Sequence, residues 1–182
     1  MNDLKKEVHD FWNTSACGEN IYLNGENEKE KFNNQLKTRY KLEPYILSFA
    51  KFDNSLGKKV LEIGVGLGAD HQKFAENSAI IYGCDLTERA VEYTKQRLSL
   101  FGLNSSLQIA DAENLPYEDN FFDFVYSWGV IHHSPDTKKA AEEIFRVLKP
   151  GGEARIMIYH KKSIVGYMLW FCLLYTSDAA DE

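Results

Sequence analysis

The rhythm of apolar and polar positions changes near residue 58. Before it, Leu4, Val8, Phe11 and Trp12 recur at helical spacing, as do Leu36, Tyr40 and Leu47 further on. The charged, turn-rich stretch GENEKEKFNN lies between them, so residues 1–55 read as two or three helices with a loop. From Lys58 onward, short apolar runs alternate with amphipathic stretches. KVLEI (Lys59–Ile63) is a first strand that stops at the glycine-rich turn Gly64-Val65-Gly66-Leu67-Gly68, and a helix follows through Phe74. IIYGCD (Ile80–Asp85) is a second strand. Thr87 is placed to cap the next helix, in which Ala90, Val91, Leu98 and Phe101 form the buried stripe and Gly102 marks the stop.

LQIA (Leu107–Ala110) and FDFVYS (Phe122–Ser127) are the third and fourth strands. A helix is expected to begin at Ser134 before Pro135, with Ala141, Ile144, Val147 and Leu148 on one face, and to end at Pro150-Gly151-Gly152. EARIMIY (Glu153–Tyr159) is the fifth strand. This alternation predicts an α/β protein of right-handed βαβ units around a doubly wound parallel sheet.

Composition narrows the function. With 182 residues, 44% hydrophobic and 26% charged, the chain suits one soluble domain rather than a disordered or repetitive protein. A net charge of −6 supplies no basic surplus for phosphate contacts, so no nucleic-acid partner is expected. Cys17, Cys84 and Cys172 have no metal-type spacing, which excludes a disulfide framework and a zinc site; no metal is expected. The N-terminus lacks an apolar signal core, giving a cytoplasmic expectation. The apolar run Ile164 to Leu174 is short of the roughly 20 residues that span a bilayer, so stable membrane insertion is not expected.

In an open parallel sheet the ligand sits at the carboxyl ends of the strands. The glycine-rich and polar features fall at those ends: Gly64–Gly68, Asp85, Asp111-Ala112-Glu113 and Ser127–His133. A glycine loop lets backbone approach a ligand closely and opens a helix whose N-terminus favours negative charge. Asp85, ending the second strand, suits a carboxylate that accepts from both hydroxyls of a ribose. These features also fit a nicotinamide-dependent oxidoreductase, which lacks its second domain here, or a non-catalytic nucleotide-binding module.

The segments Glu62–Gly68, then Asp85, then DAENLPYEDNFFDFV, then GVIHH and RVLKPGG resemble the successive motifs of class I S-adenosylmethionine-dependent methyltransferases over residues 58–160. The resemblance implies a Rossmann-like fold and S-adenosylmethionine as cofactor, with methyl transfer to an O, N or C atom of a small-molecule acceptor. It implies that Gly64, Gly66 and Gly68 line the methionine moiety, with Glu62 holding the loop. Asp85 then binds the ribose, Leu86 packs on the adenine, and Asp111 and Ala112 meet the adenine edge. Ser127, Trp128 and Gly129 lie beside the transferred methyl. His132, nearer the strand end than His133, is the expected general base. Residues 1–55 are expected to cap the site, with Trp12, Arg39, Tyr40 and His133 toward the acceptor.

The sequence also departs from that family's pattern. Residues 56–171 would form the cofactor-binding domain, with its last antiparallel strands missing and the fifth strand left as an apolar edge. Back-translation of Cys172–Glu182, CLLYTSDAADE, resembles a transposase-based sequencing adapter read in one frame, so residues 172–182 are expected to be a non-native tail on a truncated fragment. Oligomeric state is not legible in the sequence.

Overall fold

The computed structural model describes residues 3–159. Its centre is a sheet whose middle strands are buried on both faces, whereas its two edge strands hold no buried residue. The strands are β1 (Lys59–Ile63), β2 (Ile80–Asp85), β3 (Ser106–Ile109), β4 (Phe122–Trp128) and β5 (Leu148–Met157), in the order β3-β2-β1-β4-β5, all parallel. Four helices precede β1: α1 (Asp3–Thr14), α2 (Glu19–Tyr22), α3 (Glu28–Leu42) and α4 (Tyr45–Ala50). Three more connect the strands: α5 (Ala69–Glu76), α6 (Glu88–Phe101) and α7 (Thr137–Val147).

Alternation along β1 divides the core. Val60 packs on one side with Ile46, Phe52, Phe74 and Tyr126, whereas Leu61 and Ile63 pack on the other with Val125, Ile131 and Ile144. Glu62 therefore shares the α5 side with Val60. The chain order reverses at β1, between β2 and β4, and that switch point opens a crevice at the carboxyl ends of the strands.

Local chemistry sets several boundaries. Thr87 accepts from the Ala90 N–H at 3.3 Å to start α6, and Gly102, at φ 65°, ends it. Asn27 caps α3 by accepting from the Glu30 N–H, so GENEKEKFNN is helix from Glu28 onward rather than loop.

Four sequence expectations need correction. Helix α7 is capped by Asp136, which accepts from the Lys139 N–H at 2.9 Å, and not by Ser134, which follows a short 3-10 turn at Ile131–His133. Its buried face carries Ala140 with Ile144 and Val147; Ala141 is exposed. Pro150-Gly151-Gly152 does not end this helix. Leu148 already pairs with Phe122 and Glu153 with Phe124, so the glycines bulge out within β5, Gly151 at φ 80°. The third strand starts at Ser106 and ends at Ile109. The run Ile164 to Leu174 and the tail 172–182 lie outside the described residues. Among the described residues, no helix is long and apolar enough to cross a membrane, and β5 is an edge strand.

Candidate active site

Two glycines shape the loop after β1 for different reasons. Gly64 adopts φ 82° beneath Val130, where a Cβ would come within 2.2 Å of a valine methyl. Gly66, at φ 51°, has nothing within 4 Å of where its Cβ would stand, and it faces an open cavity. Its N–H donates to Asp85 Oδ2 at 3.2 Å, while Asp85 Oδ1 accepts from the Thr87 N–H and hydroxyl at 3.0 and 2.9 Å. The carboxylate at the end of β2 thus holds the glycine loop and the start of α6. Burial pushes its pKa up, and the hydrogen bonds from Thr87 and Gly66 pull against that shift.

Below the loop, a buried polar layer supports it. Glu62 meets His71 Nδ1 at 2.8 Å, and His71 Nε2 meets Ser105 Oγ at 2.7 Å. Asp70, in the first turn of α5, accepts from Arg39 Nε and Nη2 at 3.1 and 2.6 Å and from the hydroxyls of Tyr40 and Tyr126 at 2.9 and 3.0 Å. This bidentate pair ties α3 to the helix that the glycine loop opens.

On the β3 side, Asp111 accepts the Glu113 N–H at 2.9 Å and an ion pair from Lys5 at 2.5 Å. Lys5 also pairs with Glu113 at 2.6 Å, and Glu113 in turn accepts from the Ser134 hydroxyl and the Asp136 N–H. Burial opposes ionisation of Glu113, but Lys5, Ser134 and Asp136 hold its carboxyl down at about 2. One glutamate therefore joins α1, the loop after β3 and the loop after β4. The sequence places Glu113 among the polar residues after the third strand but assigns it no role; its partners are distant in the chain.

The far wall is aromatic. Trp128 lies against Tyr45 and Phe49 with ring centroids 5.7 and 5.3 Å apart, and Trp12 meets His133 edge-on at 5.2 Å. The two histidines that follow β4 stand in different places. His133 lines the cavity; His132 does not, and lies edge-on to Tyr159 with both ring nitrogens buried and without a partner among the described residues. Two further residues stand behind the wall rather than in it. Ser127 is fully buried with a hydroxyl that has no partner among the described residues, and Tyr40 is engaged with Asp70.

Gly64, Gly66, Gly68, Glu62, Asp85, Leu86, Asp111, Ala112, Trp128, Gly129, Trp12, Arg39 and His133 all line one cavity of about 550 Å³. That volume is in the range of small-molecule sites. Carboxylates at the ends of β2 and β3, and backbone open to close approach at Gly66, fit a nucleoside carrying a cationic group. Among the described residues there is no cluster of three metal-ligating side chains. Asp70, Thr87 and Gln35 also line the cavity. Of these, only Thr87 had a sequence signal, and that was for capping.

Comparison with known proteins agrees with this geometry. A family model described as a methyltransferase domain matches residues 61–156. Phosphoethanolamine N-methyltransferase 2 of Caenorhabditis elegans is 36% identical over 107 residues, covering 58% of this chain and 24% of that protein. Sarcosine/dimethylglycine N-methyltransferase of Halorhodospira halochloris is 36% identical over 101 residues, covering 52% of this chain and 35% of that one. The crystal structure of the YcgJ protein from Bacillus subtilis superposes with a TM-score of 0.58 at 28% identity, over 61% of this chain and 49% of that one. The chain belongs to the methyltransferase domain family, in the class I S-adenosylmethionine-dependent fold. It spans well under half the length of the curated relatives it matches.

Proposed function

We propose that this protein transfers a methyl group from S-adenosylmethionine to a nucleophilic O, N or C atom of a small molecule, with residues 1–55 acting as the cap over the acceptor. The observation that carries this reading is the convergence of the glycine loop, Asp85, Asp111 and the Trp128–Gly129 turn on one cavity. Bound there, S-adenosylmethionine supplies an electrophilic methyl on a cationic sulfur. Asp85 is suited to accept from ribose hydroxyls and Asp111 from an adenine amino group, with Leu86 and Ala112 flanking the base. Trp128 offers an aromatic face that stabilises a cation by about 0.5–2 kcal/mol. Methyl transfer by in-line displacement needs mainly that donor and acceptor be positioned.

We assign the general base to His133, the histidine that lines the cavity. Burial lowers its pKa below the ordinary 6.5, so its ring is the free base at neutral pH. Two relatives named as N-methyltransferases of small amines support a small-molecule acceptor here. Cys17 and Cys84 are free thiols, consistent with a reducing, cytoplasmic setting. The test is transfer of tritium from methyl-labelled S-adenosylmethionine by the full chain into a panel of small amines and hydroxy compounds. Label in one acceptor class, absent with Asp85→Ala, supports the reading; no transfer to any acceptor, including water-soluble amines, by a folded and donor-binding chain counts against it.

A further inference from the structure

Glu43 follows the last turn of α3, where its N–H closes the helix by donating to the Arg39 carbonyl at 2.8 Å. Its side chain lines the cavity but is loosely held. Arg39 Nη1 reaches Oε2 and the Tyr45 hydroxyl reaches Oε1, both at 3.3 Å. Arg39 gives its shorter bonds, 2.6 and 3.1 Å, to Asp70. One guanidinium thus serves two carboxylates, and one negative charge is left uncompensated. The unpaired carbonyls at the end of α3 add partial negative charge at the same place.

The surroundings of Glu43 are aromatic. Tyr45, its hydroxyl partner, lies against Trp128 with ring centroids 5.7 Å apart. Tyr159 stands beside Gly129, where a Cβ would come within 3.9 Å of its ring. Partial desolvation, and after it the Glu43 charge, raise the pKa of the Tyr159 phenol, so the carboxylate is close enough for that ring to feel it. Tyr159 meets His132 edge-on at 5.0 Å, and the His132 and His133 rings are 4.0 Å apart. Glu43, Trp128, Tyr159 and His133 therefore share one end of the cavity.

Charge within the cavity is not balanced. Glu43, Asp70, Asp85 and Asp111 face it against Lys5 and Arg39, while Glu62 and His71 form a buried neutral pair. The methyl donor brings one net positive charge, on sulfur, because its ammonium and carboxylate cancel. Asp85 and Asp111 serve the nucleoside in that reading, and Asp70 serves Arg39. Glu43 is left for the acceptor. A neutral apolar acceptor would strip water from this carboxylate and put nothing in its place, which is costly.

We propose that Glu43 sets the acceptor class: this end of the cavity takes a small amine that enters as its ammonium cation, held by the Glu43 carboxylate beside the rings of Trp128 and Tyr159. This assignment rests on the reading of the cavity as an S-adenosylmethionine site. His133 removes one proton from the ammonium and passes it to water. The freed lone pair forms the N–C bond as the C–S bond breaks, and the electron pair of that bond stays on sulfur.

The test uses three probes of similar shape: choline, whose quaternary nitrogen cannot be methylated; 3,3-dimethyl-1-butanol, its neutral carbon isostere; and the anion 3,3-dimethylbutanoate. Each is titrated calorimetrically into the full chain saturated with S-adenosylhomocysteine. The wild type is expected to bind choline at least about tenfold more tightly than the alcohol, and the anion more weakly than either. Glu43→Gln, which keeps size and loses charge, is expected to bring choline within about threefold of the alcohol while S-adenosylhomocysteine binds as before. Glu43→Asp should keep the preference, and Tyr159→Leu should weaken choline more than the alcohol. Equal binding of choline and the alcohol by the wild type, no binding of choline, or an undiminished preference in Glu43→Gln overturns the proposal and leaves the cofactor reading intact. Failure of the wild type to bind S-adenosylhomocysteine overturns the cofactor reading, and the proposal with it.

Discussion

His71 Nδ1 stands 2.8 Å from Glu62 Oε2 in a site closed to solvent, and the proton between them belongs to the glutamate. The Ser105 hydroxyl donates to the Ile81 carbonyl at 2.9 Å, so its oxygen must accept from His71 Nε2. A neutral imidazole carrying its proton on Nε2 is an acceptor at Nδ1. Burial points the same way, driving His71 down to about 3 and holding Glu62 well above its ordinary 4.5. A neutral chain of donors, Glu62 to His71 to Ser105 to Ile81, therefore underlies the glycine loop.

This chain gives stability an optimum in pH. Between about pH 3 and the raised pKa of Glu62, the folded pair holds one proton. The unfolded pair holds two below 4.5, one between 4.5 and 6.5, and none above 6.5. Where the unfolded state binds the extra proton, below 4.5, stability falls as pH falls. Where the folded state does, above 6.5, stability falls as pH rises. Glu62, raised in the fold, contributes stability that is lost as pH rises from 4.5 through its raised pKa. His71, lowered in the fold, contributes stability that is lost as pH falls from 6.5 toward 3, and each loss is up to about 1.4 kcal/mol per pH unit. Glu62→Gln retains a donor toward Nδ1 without a titrating proton, so it is expected to remove the alkaline limb. Urea melts of both proteins from pH 6 to 9 check this; parallel slopes would contradict it.

Gly64 and Gly66 separate folding from binding. Gly64→Ala forces a Cβ onto Val130 at positive φ, and is expected to destabilise by about 3 kcal/mol. Gly66→Ala meets only the cavity, so it costs about 1 kcal/mol in backbone strain while obstructing the ligand. Melting temperature should drop mainly in the first variant, and affinity for S-adenosylhomocysteine in the second. A Gly66→Ala protein that melts low and binds normally would reverse the assignment.

Helix α1 has no buried residue, and Lys5 holds it through Asp111 and Glu113. Lys5→Met is expected to loosen it by about 1–3 kcal/mol, the loss of a partly buried charged hydrogen bond. Limited trypsin digestion at Lys6 should then run about tenfold faster or more. Cleavage at the wild-type rate would show that other contacts hold the helix.

For His133, we expect kcat to fall on an acidic limb whose midpoint lies below 6.5, because the active form is the free base and burial lowers its pKa. His133→Ala should lose about 100-fold in kcat, and the limb with it. His132→Ala should keep the limb, since that ring lies outside the cavity. The opposite pattern would restore the histidine nearer the strand.

Much of the scaffold was legible because its signals are local. Lys59–Ile63 and Ile80–Asp85 are bounded by glycine and acid at the sheet edge, and Thr87 and Gly102 close α6 by their own side-chain and backbone chemistry. The errors arose where local cues compete. Pro150-Gly151-Gly152 reads as a helix stop, yet pairing with β4 absorbs it as a bulge. The supports of the site were hidden for a different reason. Lys5 reaches an aspartate 106 residues away, and Arg97 orients a glutamine 62 residues earlier. Neither pairing leaves a period or a motif in the sequence. The different placements of His132 and His133 arise in the short 3-10 turn at Ile131–His133, which has no signal in the sequence.

The most direct measurement is calorimetric titration of S-adenosylhomocysteine into the full chain, with NADH as the comparison ligand and Asp85→Ala as the control. The account requires saturable one-to-one binding of S-adenosylhomocysteine, none of NADH, and at least a tenfold loss, about 1.4 kcal/mol, in the variant. Absence of binding by a chain whose circular dichroism shows it folded, or equal binding of NADH, would contradict it.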